Sequence, residues 1–446
     1  MKKTYQFLIF ILLLTGMFYT SCKKSSNSSV YVPAKGEWYG TITVYSSGSD
    51  TVLQRFLDGN YNTITGDLEL YSSDPIDYHK YLGNLKTING SLKLYKIPFS
   101  DFSFLPLIMK ITNDFRISNC PNLTSLRGFL QLDTIQGNLI IENNPKIRNC
   151  EGMEQILYLS GITVTGNNLF ESFSGLQNVD SLSSNLTVDN NPKLASLEGL
   201  DSIKHIYGGI YLSNSPSLTS LNGMSSLVKM QSTISLTSLP QLADLTSLIT
   251  IKDTIGSLLI SNCNKLTNLS GLDNLRRIRK DLILVNCAKI VNLQGLAKID
   301  TIGGTAELNN LPAFTSFTGF DSLKCVKKDL RIFQCSSLTA LPGLNNLVRI
   351  NRDLIFDDNP NLVNFTGLDN FKFLTGGLQI LECNNLTSLT GLEKLVAVYG
   401  DIDIYYNPNL ANYCPLKLTD FKGTAYISLN AFNPSYADIV AGKCSN

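Results

Sequence analysis

The stretch DLILVNCAKIVNLQGL, residues Asp281–Leu296, decides the fold because it recurs at a fixed interval. Twenty-four residues earlier the chain reads SLLISNCNKLTNLSGL, and twenty-four residues later it reads TAELNNLPAFTSFTGF. Sixteen such repeats follow one another at intervals of 24 residues, or 23 in three cases, and their first strand-like apolar residues are Leu68, Leu92, Phe115, Leu139, Ile162, Leu186, Ile210, Ile234, Leu258, Leu282, Ala306, Leu330, Leu354, Leu378, Ile402 and Ala425. A strict period of this length predicts a solenoid of stacked coils.

Apolar residues fall at constant places within each repeat, counted from its first strand residue as +0, +2, +8, +11, +14, +17 and +20. In one repeat they are Leu282, Leu284, Ile290, Leu293, Leu296, Ile299 and Ile302. The first two alternate as in a strand, whereas the later steps of three predict short segments and bends rather than long helices. Glycine at +13, for example Gly295, marks a turn. The pattern predicts an all-β fold, a right-handed parallel β-solenoid of about 16 coils of 24 residues.

Position +5 of the repeats holds either asparagine or cysteine in most of the array. The residues are Asn144, Asn191, Asn359, Asn407, Cys120, Cys263, Cys287, Cys335 and Cys383. A small polar side chain at a bend can satisfy backbone groups of its own and the neighbouring coil, and a buried thiol fits the same volume. We therefore expect reduced structural thiols. The alternative is a disulfide between Cys263 and Cys287, which belong to adjacent repeats.

Two segments carry a family resemblance: GNLIIENNPKI from Gly137 and NLTVDNNPKLASLEGLDSI from Asn185. They resemble the receptor L-domain branch of leucine-rich repeats, and also the long versions found in surface lipoproteins of Bacteroidetes. The resemblance extends over about residues 40–446. It implies a right-handed parallel β-solenoid and gives only weak information on function.

The amino terminus has the features of an export signal. Residues 1–21 contain two lysines, an apolar core at Phe7–Leu14 and small residues just before Cys22, which predicts a signal peptide. Cys22 is then the expected lipid attachment site of an outer-membrane lipoprotein on the cell surface or the periplasmic face. The alternatives are cleavage without lipidation and an uncleaved anchor. Residues 22–39 form a polar tether in this interpretation, and the lipid is the only membrane contact.

The repeats need a cap at each open end. Residues 40–67 are predicted to form an amino-terminal cap with a short amphipathic helix, residues 68–413 the solenoid, and residues 414–446 a carboxy-terminal cap. Cys414 and Cys444 have no partner in the repeat columns, so we predict that they form a disulfide, as an exported compartment permits.

Composition and motifs argue against several function classes. The chain has 37 basic and 36 acidic residues and no basic block beyond the signal region, which argues against a nucleic-acid partner. It has two histidines, His79 and His205, and none of the metalloprotease, nucleophile-elbow, phosphate-loop or dinucleotide motifs. We expect no enzyme, metal or cofactor. The enzymatic rival, a polysaccharide-degrading β-solenoid, would build its site from inserted loops, and this chain has almost none.

A ligand site would then lie on the outward strand positions, +1 and +3. The candidates are Leu259, Ile283, Val285, Glu307, Arg331, Phe333, Ile355, Leu381 and Tyr405. One interpretation is ordinary strand propensity. The other is an apolar and aromatic patch that binds a glycan or an extracellular or envelope protein. The function hypothesis is a monomeric recognition or adhesion module, and the alternative is a structural spacer without a specific ligand.

The sequence contains two further patterns of acidic residues. Asp281, Asp329, Asp353 and Asp401 directly precede strands and predict a solvated charge ladder, since single acids one coil apart supply too few oxygens for calcium.

The second acidic pattern is Asp followed by Ser or Thr and an aliphatic residue, which occurs seven times and resembles the O-glycosylation acceptor of exported Bacteroidetes proteins. Thr51, Ser202 and Ser322 are the candidate sites.

Overall fold

A computed structural model describes residues 35–45, 50–71, 73 and 76–446. The predicted signal peptide, Cys22 and the first part of the predicted tether lie outside the described residues. In the described part the chain winds into a β-solenoid of parallel strands with few helical residues. The predicted fold class is confirmed.

One long ladder of parallel strands runs the length of the solenoid, one strand per coil. We call it the main ladder; its strands are β2 (Ile42–Val44), β4 (Leu68–Leu70), β6 (Leu92–Tyr95), β8 (Phe115–Ser118), β9 (Thr134–Glu142), β10 (Tyr158–Thr165), β12 (Leu186–Asp189), β14 (Ile210–Ser213), β16 (Ile234–Thr237), β18 (Leu258–Ser261), β20 (Leu282–Val285), β22 (Ala306–Asn309), β24 (Leu330–Phe333), β26 (Leu354–Asp357), β28 (Leu378–Leu381), β30 (Ile402–Tyr405) and β32 (Ala425–Ser428). All sixteen predicted strand residues lie in it. Strand β2 adds one coil at the amino-terminal end.

A second ladder of shorter strands lies around the inward residue at +20. We call it the short ladder; besides the first halves of β9 and β10 it contains β1 (Glu37–Tyr39), β3 (Thr63–Thr65), β5 (Thr87–Ile88), β7 (Lys110–Ile111), β11 (Ser181–Leu182), β13 (His205–Ile206), β15 (Lys229–Met230), β17 (Asp253–Ile255), β19 (Leu275–Ile278), β21 (Thr301–Ile302), β23 (Cys325–Val326), β25 (Arg349–Ile350), β27 (Phe373–Leu374), β29 (Ala397–Val398) and β31 (Asp420–Phe421). It is interrupted between β15 and β17, near a 3-10 turn at Thr246–Leu248. Each coil therefore contributes to two ladders that enclose one core.

The predicted inward positions form that core. The seven predicted inward residues of the repeat that begins at Leu282 are fully buried, and the same columns are buried in most of the array. Gly295 closes its turn with a φ of 107°, and a Cβ there would lie 2.0 Å from the carbonyl oxygen of Leu269 in the preceding coil. Only glycine fits so close to a neighbouring backbone in this conformation.

The +5 column satisfies the backbone at the bend after the main ladder. Asn191 is fully buried; its Oδ1 accepts the backbone N–H of Asn167, 3.1 Å away in the preceding coil. Its Nδ2 donates to the carbonyl oxygens of Val164 and Asp189 at 2.8 and 3.0 Å. One side chain thus serves three backbone groups in two coils, as the sequence predicts.

Cysteine performs the same task with weaker hydrogen bonds. The Cys287 thiol donates to the Val285 carbonyl at 3.4 Å and accepts the backbone N–H of Cys263 in the preceding coil. Both cysteines are free thiols, so the alternative of a disulfide between them is wrong. Burial raises the pKa of the Cys120, Cys335 and Cys383 thiols in this column, to about 12 for the last two. These three thiols are therefore protonated at neutral pH.

Acidic residues before the strands also bind backbone, which corrects the interpretation of a solvated charge ladder. The carboxylates of Asp281, Asp353 and Asp401 each accept a backbone N–H of the next coil at 2.8 Å. Asp329 accepts the N–H of Asp353 at 3.2 Å and is 1% exposed. This column joins successive coils just as the +5 column does.

The amino-terminal end is covered by a helix. Helix α1 (Asp50–Asp58) buries Leu53 and Phe56 against the first coil. Strand β1 falls within the range predicted for the tether, so ordered structure begins before residue 40. A second short helix, α2 (Tyr78–Leu82), lies beside α1.

The carboxy-terminal end is covered by residues that leave the repeat. Helix α3 (Tyr436–Val440) begins with a capping box of Ser435 and Asp438, and Cys414 and Cys444 are joined by a disulfide. Asn430 is the last residue of the +5 column, and the side chain of Asn433 in the cap accepts its backbone N–H at 2.9 Å. Asn433 thereby takes the place that the asparagine of a further coil would occupy.

Candidate functional site

The nine predicted ligand-binding residues lie on the outward face of the main ladder, from β18 to β30. Leu259, Ile283, Glu307, Arg331 and Ile355 are successive neighbours in one column of the parallel register. The adjacent column contains Val285, Phe333, Leu381 and Tyr405, with Asn309 and Asp357 between them. All nine side chains are partly buried, because neighbouring strands hold their outward side chains close together.

An ion-pair group divides this face. The Arg331 guanidinium lies 2.7 Å from the Asp329 carboxylate and 3.7 Å from Glu307. Since Arg331 and Glu307 neutralise each other, they form a structural contact rather than a free charged pair. The apolar residues therefore make two separate groups, one of Leu259, Ile283 and Val285 and one nearer the carboxy terminus.

The carboxy-terminal group combines apolar, aromatic and acidic side chains. We define the C-terminal patch as Phe333, Ile355, Asp357, Leu381, Glu382, Asp403, Tyr405 and Tyr406. The rings of Tyr405 and Tyr406 contact each other edge to face with centroids 5.6 Å apart. Tyr406 is 52% exposed, so the patch ends in an aromatic side chain that is open to solvent.

From β6 onward the position after each main-ladder strand is left-handed, with φ between +48° and +70°, a feature that was not recognised in the sequence. Between residues 119 and 310 this position is mostly asparagine, which tolerates the conformation better than other residues with a side chain. Beside the C-terminal patch it is Gln334, Asp358, Glu382, Tyr406 and Leu429 instead. The left-handed conformation costs about 1 kcal/mol at each of the four residues Gln334, Glu382, Tyr406 and Leu429.

The carboxylates of the C-terminal patch repel one another. Burial raises the pKa of Asp357, and the nearby Glu382 and Asp358 carboxylates raise it further. Burial and Asp401 likewise raise the pKa of Asp403. In the described part of the chain no basic side chain pairs with Asp357, Glu382 or Asp403, so the patch holds uncompensated negative charge.

A tyrosine column on the same face near the amino terminus was not recognised in the sequence. Tyr45, Tyr71 and Tyr95 occupy +3 of three successive coils, and their ring centroids are 5.5 and 5.8 Å apart. Beside them the Lys93 ammonium bridges Asp67 at 2.8 Å and Glu69 at 2.7 Å. In the sequence, this column could have been recognised from the tyrosine at +3 of three successive repeats.

In the part of the chain that the structure describes, no cluster of side chains is arranged for catalysis or metal binding. No set of three or more His, Cys, Asp or Glu residues there is placed to hold a metal ion. His79 lines a cleft of about 250 Å³ between α2 and the turn near Phe99, away from the outward face of the main ladder. His205 lies half-buried on the short ladder.

The modification candidates have different surroundings. Thr51 is exposed on α1, whereas Ser202 and Ser322 are half-buried. The carboxylates of Asp201 and Asp321, which precede the two serines, accept the backbone N–H of a turn glycine at 3.0 and 2.9 Å. These aspartates therefore have a structural role, and modification of the hydroxyls stays a prediction.

No helix among residues 35–45, 50–71, 73 and 76–446 is long and apolar enough to cross a membrane.

Residues 60–159 match the family model of the Receptor L domain. No curated protein matches the chain. The matched segment contains Tyr71 and Tyr95 but not the C-terminal patch. The match and the parallel solenoid make the chain receptor L-domain-like, which suggests, in general terms, a ligand-binding or recognition module.

Proposed function

We propose that this protein is a recognition or adhesion module that binds a glycan or protein ligand on the C-terminal patch. The observation that carries the proposal is the left-handed column beside the patch. Gln334, Glu382, Tyr406 and Leu429 replace the asparagine that the backbone favours, and all four are exposed. Residues that oppose local preference on an exposed face indicate selection for contact with a partner.

The composition of the patch supports the same conclusion. One exposed and one half-buried tyrosine ring, half-buried apolar side chains and unpaired carboxylates lie within four coils, a mixture typical of interaction surfaces. The proposed setting is the outer membrane, with the lipid on Cys22 as the anchor and the ligand in the glycan layer or on an envelope or extracellular protein. Cys22 itself lies outside the described residues.

The test is a binding screen of the full-length chain, kept in solution with a mild non-ionic detergent, against a glycan array and extracellular-matrix proteins. The variant Phe333→Asp with Leu381→Asp places two charges in the patch. The matched control, Thr187→Asp with Ser235→Asp, places two charges on the same face, also two coils apart and half-buried.

We expect at least one ligand whose binding the patch variant abolishes and the control retains, with the thermal midpoints of both variants close to that of the parent. Binding that survives in the patch variant would place the site elsewhere. A parent protein that binds nothing in either screen would favour the alternative, a structural spacer.

Intact-mass measurement of protein from the native host tests the lipid on Cys22 and the predicted glycosylation of Thr51, Ser202 and Ser322 together.

A further inference from the structure

The outward face of the short ladder is strongly basic between β19 and β27. Ten exposed basic side chains lie on four of these five coils, in and beside the strands. We call this set the basic strip: Arg276, Arg277, Arg279, Lys280, Lys324, Lys327, Lys328, Arg349, Arg352 and Lys372. Four of them lie within residues 276–280 and three within residues 324–328, and the stacking of coils brings these short clusters together into one strip.

Little of this charge is neutralised within the molecule. Arg277 lies 3.8 Å from Asp300, and Arg352 lies 3.5 Å from Asp329. The other eight basic side chains have no carboxylate within 4.0 Å among the residues that the structure describes. The whole chain has a net charge of only +1, so the strip is a local concentration of positive charge that the composition conceals. Charges closer together than about 10 Å act jointly on a ligand at ~0.1 M salt.

The strip is long and narrow. Arg277, Thr301, Cys325, Arg349 and Phe373 follow one another in register along the short ladder. At roughly 4.8 Å per coil the five coils span about 19 Å.

Basic residues stand on both sides of the inward position, as Lys324 and Lys327 do around Val326, and so form two rows. The middle coil presents Asp300, Thr301, Gly303 and Gly304 at these positions, so both rows are interrupted there.

We infer that the basic strip binds a linear acidic polysaccharide. Ten basic groups over about 19 Å, interrupted at the middle coil, complement a linear polyanion that lies along the strip. The Arg349 guanidinium lies 5.1 Å from the centre of the Phe373 ring, and Tyr399 on the next coil is 42% exposed. Aromatic rings beside cations suit a sugar, which has apolar C–H faces as well as anionic groups.

Heparin serves as the sulfated probe and dextran as the uncharged one, each measured against the full-length chain in non-ionic detergent at ~0.1 M salt. The strip variant carries four neutral substitutions at residues without an ion pair: Arg276→Gln, Lys324→Gln, Lys327→Gln and Lys328→Gln. The matched control loses the same charge at exposed lysines outside the strip: Lys193→Gln, Lys265→Gln, Lys289→Gln and Lys443→Gln.

We expect heparin to bind, dextran not to bind, and the strip variant to lose at least about tenfold in affinity, roughly the contribution of four exposed ion pairs. The control should stay within about twofold of the parent. The Phe333→Asp, Leu381→Asp variant should bind heparin normally, which separates this inference from the proposed function. Equal losses in strip and control variants would overturn it, as would tighter binding to anionic phospholipid vesicles or to single-stranded DNA than to heparin.

Discussion

Replacement of Asn191 by alanine tests how the solenoid is held together. The substitution removes the acceptor of the Asn167 N–H and the donor to the Val164 carbonyl, and both backbone groups are buried in the preceding coil. Leaving a buried polar group without a partner costs about 1–3 kcal/mol. Two such groups predict a loss of roughly 2–6 kcal/mol in the free energy of unfolding.

The assay combines urea unfolding with hydrogen exchange of the backbone amides. We expect Asn191→Ala to lower the urea midpoint and to remove the protection of the Asn167 amide. Asn191→Cys should lose less, because the array itself uses cysteine in this column, as at Cys287. Asn384→Ala, at an exposed asparagine whose side chain bonds nothing in the described part of the chain, is the control and should change neither reading. A loss below about 1 kcal/mol with Asn167 still protected would refute the reasoning.

Three further predictions concern the turns, the thiols and the acidic patch. Gly295→Ala should destabilise the array strongly, since its Cβ would meet a carbonyl oxygen at 2.0 Å. Gly442→Ala, where nothing lies within 4 Å, should cost only about 1 kcal/mol in urea unfolding. In native protein at neutral pH, alkylation followed by mass spectrometry should modify half-buried Cys325 well before buried Cys335, whose pKa is raised to about 12. Asp357→Asn should raise the thermal midpoint at pH 7, because burial and neighbouring carboxylates raise the pKa of Asp357 and its ionised form opposes folding. That gain should disappear as the pH falls below the ordinary value of 3.8, where the carboxyl is protonated in the folded and unfolded states; a gain that persists there would contradict the cause given.

The repeat made the core and the main ladder predictable, because inward residues must recur wherever coils stack in register. The seven columns of the repeat at Leu282 and the polar role of the +5 position follow from that constraint alone. The short ladder could not be predicted in the same way, since a strand of two residues such as Thr301–Ile302 is too short to show an alternation.

The binding surfaces were less predictable for a different reason. Outward residues are free to vary, so their pattern shows neither which charges pair nor which remain open. Arg331 and Glu307 are candidate ligand contacts in the sequence, yet the buried Asp329 carboxylate completes a structural ion-pair group. Arg276 and Lys324 belong to one strip although 48 positions separate them in the chain, a relation that only the register of the coils reveals.

Asn433 has a consequence for how such a protein changes length. Each coil presents to the next an interface that the following coil completes, and Asn433 completes the last one without offering another. Duplication or deletion of a 24-residue unit inside the array would therefore join compatible surfaces, while the carboxy-terminal cap with Asn433 stays at the end. Recombination of the gene can therefore change the number of coils without a new cap, so the length of the solenoid becomes a variable that selection can adjust on its own.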